Sequence, residues 1–230
     1  MFSFNAPVLA APAIFNQPFR FTCRQCPQNA RFNVAAAVGA PPFACTPFSN
    51  HLLCQCCLEA MPDRINDPLA PKQTCSMCFK AFCDLYWGCR KGGCKRCLLK
   101  FSDMRVSNEC LNSLLNDNQY ESQLLSDWMA RERKTAQELF DECVQKLRDG
   151  EFRSAGVYRA DVALDKIVCR ECGLKLFGDL AYQYRQSIAE SELFDKSHRR
   201  PDCHWGKNCR TQKHNQDHAR RYNHICDQTK

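Results

Sequence analysis

Cysteine is the residue type most able to do chemistry in this chain, which has 19 cysteines among 230 residues. Many of them form pairs separated by two residues, a spacing that lets two thiolates bind one metal ion. These pairs are Cys23/Cys26, Cys54/Cys57, Cys75/Cys78, Cys94/Cys97 and Cys169/Cys172. The spacing and the odd total favour zinc over a closed disulfide framework, so we infer zinc as the cofactor and a reducing compartment.

The densest cysteine segment, residues 54–97, offers nine thiols, and two tetrahedral zinc sites would need eight. A cross-braced arrangement would join Cys54/Cys57 to Cys83 or Cys89, and Cys75/Cys78 to Cys94/Cys97. A sequential arrangement would join Cys54/Cys57 to Cys75/Cys78 instead. The spacing alone does not choose between them.

Two cysteine pairs lie outside this segment. Cys23/Cys26 and Cys169/Cys172 can meet to form a third four-thiolate site, or Cys23/Cys26 can be half of a site whose other half lies upstream. Each structural zinc can add on the order of 10 kcal/mol of folding free energy, which would offset a thin apolar core.

A different metal motif lies near the C-terminus, where Cys203, Cys209, His218 and His224 have the spacing C-x5-C-x8-H-x5-H. Two thiolates and two imidazoles make a closed zinc shell, typical of a structural site. A DNA-reading finger has a shorter first gap and a longer middle gap that contains its recognition helix, so this motif is of another type. His214 is an alternative third ligand.

The charge of the chain is concentrated in the same region. Residues 197–230 carry eight Lys or Arg against three Asp, within a total net charge of +7. A basic segment of this kind favours an anionic partner, such as nucleic acid or a phosphate polymer. No apolar run approaches the roughly 20 residues that span a bilayer, so no membrane partner is expected.

The pattern along the chain predicts a small zinc-rich α+β fold in four parts. Residues 1–20 form a disordered segment or linker, residues 21–100 a cysteine-rich zinc-binding block with short β-hairpins, residues 101–199 a helical segment with a C-x-x-C knuckle, and residues 200–230 a zinc finger.

Helices are predicted where apolar residues recur on one face. The first is predicted at Leu111, Leu114 and Leu115, and the second at Leu124, Leu125, Trp128 and Met129. The third begins at a capping box formed by Thr135 and Glu138 and ends at Gly150. Cys110 and Cys143 are predicted to be buried thiols rather than ligands.

Residues 163–169 are strand-like, and they lead into Cys169-Arg-Glu-Cys172-Gly173, which we interpret as a knuckle turn. A short helix is predicted around Leu180–Arg185.

The C-terminal motif resembles the poly(ADP-ribose)-binding zinc finger. That family has a basic residue before the first cysteine, an aromatic-Gly pair after it, and an aromatic residue before the last histidine. Arg200, Trp205-Gly206 and Tyr222 fill these places. Trp205 replaces the commoner Tyr or Phe, and the gap between Cys209 and His218 is one residue longer than usual.

The resemblance extends upstream through Met61-Pro-Asp-Arg64, Tyr86-Trp-Gly-Cys89 and Leu180–Gln186. Over roughly residues 20–230 the chain resembles the C-terminal cysteine-rich region of a ubiquitin ligase family of the mitotic checkpoint that has forkhead-associated and RING domains. The resemblance implies a nuclear protein that binds poly(ADP-ribose) or proteins carrying it. It also implies that this chain is a fragment or product lacking the upstream domains, and that ubiquitin-conjugating enzymes are partners only where the RING domain is present.

An ADP-ribose reader needs a flat surface for adenine and cations or amide groups for phosphate. Trp205, Arg210 and Tyr222 are candidates for stacking, and Arg200, Lys207 and Arg210 for phosphate. Gly206 allows close backbone approach. Asn208 and Gln212 are candidates for reading adenine or ribose edges.

No catalytic motif is found in the chain, which leaves its status as an enzyme undecided. Two other functions remain open at this stage. One is ubiquitin transfer by the cysteine block itself, and the other is general binding of RNA or single-stranded DNA through the basic C-terminus.

Overall fold

The computed structural model describes residues 23, 49–66, 70, 72–83, 97–153, 164–193 and 200–229. Four short strands pair as two antiparallel ribbons, β1 with β2 and β3 with β4. The strands are β1 (His51–Leu53), β2 (Ala60–Pro62), β3 (Leu98–Lys100) and β4 (Ile167–Cys169). The helices are α1 (Gln119–Arg131), α2 (Ala136–Arg148), α3 (Arg170–Ser187), α4 (Glu190–Leu193) and α5 (Gln216–Arg221). The small zinc-rich α+β fold is confirmed.

Helix α2 begins as its sequence predicts. The Thr135 hydroxyl accepts from the Glu138 backbone N–H, and the Glu138 carboxylate accepts from the Thr135 backbone N–H. These two bonds satisfy donors that a helix start would otherwise leave unpaired. The apolar face of α2 is buried, with Leu139, Phe140 and Cys143 fully inaccessible to solvent.

The predicted stripe of α1 is also confirmed, since Leu124, Leu125, Trp128 and Met129 are all buried. The helix predicted at Leu111–Leu115 is wrong. Only a 3-10 turn, Asn108–Leu111, forms there, and Ser113 has a φ of +57°. The leucines still enter the core, but a left-handed residue cannot continue a right-handed helix.

The predicted knuckle turn after Cys169 is wrong as well. The chain enters α3 directly at Arg170, so Cys172 lies in the first turn of a helix that runs to Ser187. Gly173 suggested a turn, yet its role is close packing. A Cβ at Gly173 would lie 2.7 Å from the Met104 Sδ. The short helix predicted near Leu180–Arg185 is the second half of α3.

One hydrophobic core joins the cysteine-rich strands to the helices. Its centre is a row of edge-to-face aromatic rings, with Phe140 5.3 Å from Phe101 and 5.2 Å from Phe177 between ring centroids. The same buried cluster includes Cys75 and Cys169. Residues on both sides of position 100 therefore share one core, and the predicted domain boundaries stay predictions.

The C-terminal finger packs on α1 and α3. It consists of two 3-10 turns, Gly206–Asn208 and Thr211–Lys213, followed by α5. Its closest neighbour is α1, against which α5 packs. Within the described ranges, none of the helices has both the length and the apolar character needed to cross a membrane.

Candidate metal centres and ligand surface

The first group of metal-binding side chains joins two distant parts of the chain. The thiols of Cys75, Cys78, Cys169 and Cys172 lie within 4.8 Å of one another. Cys169 reaches this position at the end of β4, and Cys172 in the first turn of α3. Backbone pairing helps to fix the geometry, because the Ser76 N–H donates to the Ile167 carbonyl at 2.9 Å.

This grouping corrects the predicted pairings. Cys75/Cys78 is grouped with Cys169/Cys172, whereas Cys54 and Cys97, which the predicted pairings offered as partners, belong to another group among the described residues. The grouping of Cys169/Cys172 with Cys23/Cys26 is wrong for the same reason. Cys23 is buried, whereas Cys26, Cys89 and Cys94 lie outside the described residues.

A second group consists of Cys54, Cys83 and Cys97, whose sulfurs also lie within 4.8 Å of one another. The Cys57 Sγ lies 3.5 Å from the Cys83 Sγ, which makes Cys57 a candidate for a fourth ligand among the described residues. Of the cross-braced pairings, the one that joins Cys54/Cys57 to Cys83 agrees with this geometry. Cys97 joins this group and not that of Cys75/Cys78. The sequence offered Cys83 and Cys89 as alternatives, because neither belongs to a C-x-x-C pair.

The third group is the one predicted in the finger. Cys203, Cys209, His218 and His224 lie within 4.8 Å of one another. The His218 Nε2 is 3.7 Å from the Cys203 Sγ and 3.3 Å from the Cys209 Sγ. His214 is exposed and does not belong to this group. The third ligand position is therefore occupied by His218.

Zinc fits these groups by distance. Zinc–sulfur bonds of about 2.3 Å in a tetrahedron place two sulfurs about 3.8 Å apart, and a sulfur and an imidazole nitrogen about 3.6 Å apart. The Cys78 and Cys169 sulfurs are 3.9 Å apart, and those of Cys83 and Cys97 are 4.0 Å apart. The sulfur–nitrogen distances of 3.3 and 3.7 Å in the finger bracket the expected value.

Zinc would also give a partner to a buried imidazole of the finger, that of His224. His224 is completely inaccessible to solvent, and neither of its ring nitrogens has a hydrogen-bond partner among the described residues. A buried imidazole without partners is costly, and coordination of one nitrogen removes much of that cost. Burial, together with the nearby His218, lowers the pKa of His224 to about 4, which keeps the ring neutral and able to bind metal.

The thiol pKa values show why a cation is needed. Burial acts to raise the pKa of Cys75, but backbone N–H donors from Cys78, Cys169 and Met77 outweigh it and lower the value to about 7. Burial and the neighbouring Cys169 raise the pKa of Cys172. Four thiolates therefore cannot be charged side by side unless a cation compensates them, which zinc does.

The ligand residues predicted in the finger divide into two sets. The first set holds the finger against the helices. Arg200 lies 2.7 Å from the Glu121 carboxylate and 4.9 Å from the Tyr120 ring centroid, and Lys207 lies 3.0 Å from Asp179. Gln212 is buried, and its side-chain oxygen accepts from the Asn118 amide at 2.9 Å.

Two more predicted residues have structural partners. Gly206 has a φ of +44°, and a Cβ there would lie 2.1 Å from the Cys226 carbonyl oxygen. The side chain of Asn208 donates to Gln228 at 3.1 Å. Gly206 therefore permits a tight approach to the Cys226 backbone within the finger itself, and the predicted approach to a ligand stays a prediction.

The second set is exposed or half-exposed. Trp205 is 54% exposed, and Arg210 is exposed with no ion pair among the described residues. The Tyr222 ring is half-buried and lies 4.9 Å from the His218 ring centroid, so it covers a zinc ligand. A flat ring and an unpaired guanidinium are the chemical groups that an anionic, aromatic ligand requires.

Sequence reasoning missed the residues that dock the finger. Glu121 is completely buried and contacts Arg185 at 3.5 Å as well as Arg200 at 2.7 Å. The Tyr182 hydroxyl donates to the His224 carbonyl at 3.0 Å. The only signal in the sequence was a charged residue on the apolar face of α1, one position after Tyr120.

Fold and donor groups together define a cysteine-rich domain stabilised by several zinc ions. The comparison with known families agrees, because residues 33–188 match the family described as a cysteine rich domain with multizinc binding regions. The chain belongs to this family, and zinc is confirmed as its cofactor.

The chain is similar to the E3 ubiquitin-protein ligase CHFR of several vertebrates. It is 41% identical to the protein of Danio rerio over 82% of this chain and 29% of that protein. It is 39% identical to the protein of Homo sapiens over 86% of this chain and 30% of that protein. It is 37% identical to the protein of Mus musculus over 94% of this chain and 36% of that protein. The chain thus spans about a third of the relatives that it matches, and the resemblance to their C-terminal cysteine-rich region is confirmed.

Proposed function

We propose that this chain is a poly(ADP-ribose)-binding module that serves a ubiquitin ligase. The observation that carries the proposal is the exposed face of the zinc finger, where Trp205 is 54% exposed and Arg210 lacks an ion-pair partner among the described residues. The other predicted ligand residues Arg200, Lys207 and Gln212 form contacts within the protein.

The chemistry of the ligand matches this face. Stacking of a base on an aromatic ring is worth about 1–3 kcal/mol, and Trp205 offers an accessible ring for adenine. A guanidinium can pair with a pyrophosphate through two parallel hydrogen bonds, and Arg210 supplies one. The closed donor set of the finger leaves no position for a water molecule on the metal, which favours a binding role over hydrolysis.

The first test is binding of the zinc-loaded chain to ADP-ribose polymer of defined length. Arg210→Ala should weaken binding by about tenfold or more, equivalent to at least about 1.4 kcal/mol. Arg148→Ala removes the same charge from an exposed position of α2 and should change affinity by less than about twofold. Zinc content should be unchanged in both variants.

Trp205 gives a second test at the same face. Trp205→Ala should weaken binding by roughly fivefold to a hundredfold, and Trp205→Phe should retain most of the affinity because it keeps a stacking ring. Equal binding by the wild type, Trp205→Ala and Arg210→Ala would contradict the proposal.

General binding of nucleic acid is the competing outcome. If the affinities for RNA, single-stranded DNA and ADP-ribose polymer fall with salt along the same slope, the chain is a nonspecific polyanion binder. Preference for the ADP-ribose polymer at matched charge would support the proposal.

The link to ubiquitin transfer rests on the relatives, which are named as E3 ubiquitin-protein ligases. We infer that the present chain supplies recognition to such a ligase, acting in the nucleus in control of mitosis. Autoubiquitination by this chain alone would favour the alternative in which the cysteine block itself promotes transfer.

A further inference from the structure

A cleft of about 280 Å³ lies between helix α1 and the zinc finger. One wall is α1, with Gln119, Tyr120 and Gln123, and the other is the finger, with Lys213, His214 and Arg220. Neither Trp205 nor Arg210 lines this helix–finger cleft, so it is separate from the exposed face described above.

Buried contacts fix the two walls relative to each other. At one end Arg200 of the finger contacts Glu121 of α1 at 2.7 Å, and the carboxylate is 1% exposed. At another point the Asn118 amide donates to the Gln212 oxygen at 2.9 Å, and this bond is also buried. The cleft therefore exists before any ligand binds, which lowers the entropic cost of binding.

The walls differ in charge. The finger wall carries Lys213 and Arg220 together with the imidazole of His214, while the α1 wall carries neutral amides and a phenol ring. None of the described residues that line the cleft is a carboxylate, although the Lys213 ammonium pairs with Asp117 at 2.9 Å. A positive wall facing amide groups and an aromatic ring suits an anion that also has planar or hydroxyl-bearing parts.

We propose that the helix–finger cleft is part of the ligand site and takes a phosphate-bearing section of the polymer, in addition to the unit held at Trp205 and Arg210. This inference rests on the proposed function and extends it to α1, a helix outside the finger. The cleft is near the lower end of the roughly 300–1,000 Å³ range of small-molecule sites, so it suits a section of one unit and not a whole chain.

The test changes the charge of the α1 wall in both directions. Gln119→Glu keeps an oxygen that can accept the bond now donated by Gln216 at 2.8 Å, and a carboxylate is favourable in the first turn of a helix. Gln123→Lys places a cation on the same wall, four residues before Asp127. Both variants should fold as the wild type does.

We expect Gln119→Glu to weaken binding of ADP-ribose polymer by about fivefold and Gln123→Lys to strengthen it by about threefold, as single charges at a partly exposed site would. The matched controls are Gln186→Glu and Gln186→Lys, at an exposed position of α3 that does not line the cleft. Affinities of the controls should stay within about twofold of the wild type.

The outcomes separate the two proposals. If the wild type binds, Arg210→Ala loses affinity and the α1 variants behave like the Gln186 controls, the cleft proposal is overturned and the finger proposal stands. If the wild type does not bind the polymer at all, both fail. Opposite shifts for Gln119→Glu and Gln123→Lys support the cleft.

Discussion

The buried carboxylate of Glu121 provides a direct way to test how the finger is held to the helices. Glu121→Ala removes the partner of Arg185 and Arg200, whose contacts are 3.5 and 2.7 Å long. Arg200 keeps its bonds to the Ala219 and Tyr222 carbonyls, at 3.3 and 2.9 Å. The Arg185 side chain is only 5% exposed, so it loses this carboxylate partner at a place that water barely reaches.

Breaking a buried ion pair by removing one partner costs about 3–5 kcal/mol, a large part of the roughly 5–15 kcal/mol that stabilises a typical domain. We therefore expect the free energy of unfolding to fall by about 3–5 kcal/mol in Glu121→Ala. Glu121→Gln keeps the size and one acceptor oxygen, so it should lose less.

The assay is urea unfolding of the full chain with zinc in excess, followed by far-ultraviolet circular dichroism. Asp165→Asn serves as the control, because it removes a surface pair with Lys100 in which both side chains are at least half exposed. That variant should change the free energy of unfolding by less than about 1 kcal/mol. A loss below about 1 kcal/mol in Glu121→Ala would refute the assignment of Glu121 as the buried anchor of the finger.

Three further predictions concern the zinc groups and their surroundings. Cys169→Ala should remove one zinc equivalent by elemental analysis, although this residue is 94 positions from Cys75, and an unchanged zinc content would contradict the first grouping. Gly206→Ala should lower the free energy of unfolding by more than about 2 kcal/mol and speed the loss of zinc to a chelator, because its Cβ would meet the Cys226 carbonyl oxygen at 2.1 Å. Zinc loss from this variant at the wild-type rate would count against this packing. Tyr182→Phe should lower the free energy of unfolding by about 1–3 kcal/mol, since it leaves the buried His224 carbonyl without its donor, and a neutral effect in urea unfolding would argue against that bond.

Local signals in the sequence were sufficient for the elements that local chemistry dictates. The capping box of Thr135 and Glu138 located the start of α2, and the apolar stripe located its buried face. The four donors of the finger were predicted by spacing because a metal site within about 20 residues has little freedom in its pairing.

The spacing of cysteines along the sequence could not predict which distant C-x-x-C pairs meet. Cys75/Cys78 and Cys169/Cys172 meet only because β4 and α3 pack against the cysteine-rich segment, and equivalent C-x-x-C pairs nearer in sequence were equally plausible partners. The docking of Arg200 on Glu121, 79 residues away, has no periodic signature at all. Such contacts follow from tertiary packing, which a single sequence does not encode in local patterns.

The predicted roles of the basic residues needed the structure for a related reason. Arg200, Lys207 and Arg210 look alike in sequence, but the first two have carboxylate partners on α1 and α3. A count of Lys and Arg residues cannot distinguish a side chain that pairs with a carboxylate of the fold from one that is accessible to a ligand.

Zinc joins the distant parts of this chain, and anomalous diffraction at the zinc absorption edge would locate each ion. We predict one peak about 2.3 Å from each thiol of Cys75, Cys78, Cys169 and Cys172, and another bonded to Cys203, Cys209, His218 and His224. Absence of a peak at either group, or a peak that joins Cys75/Cys78 to other thiols, would contradict these zinc assignments.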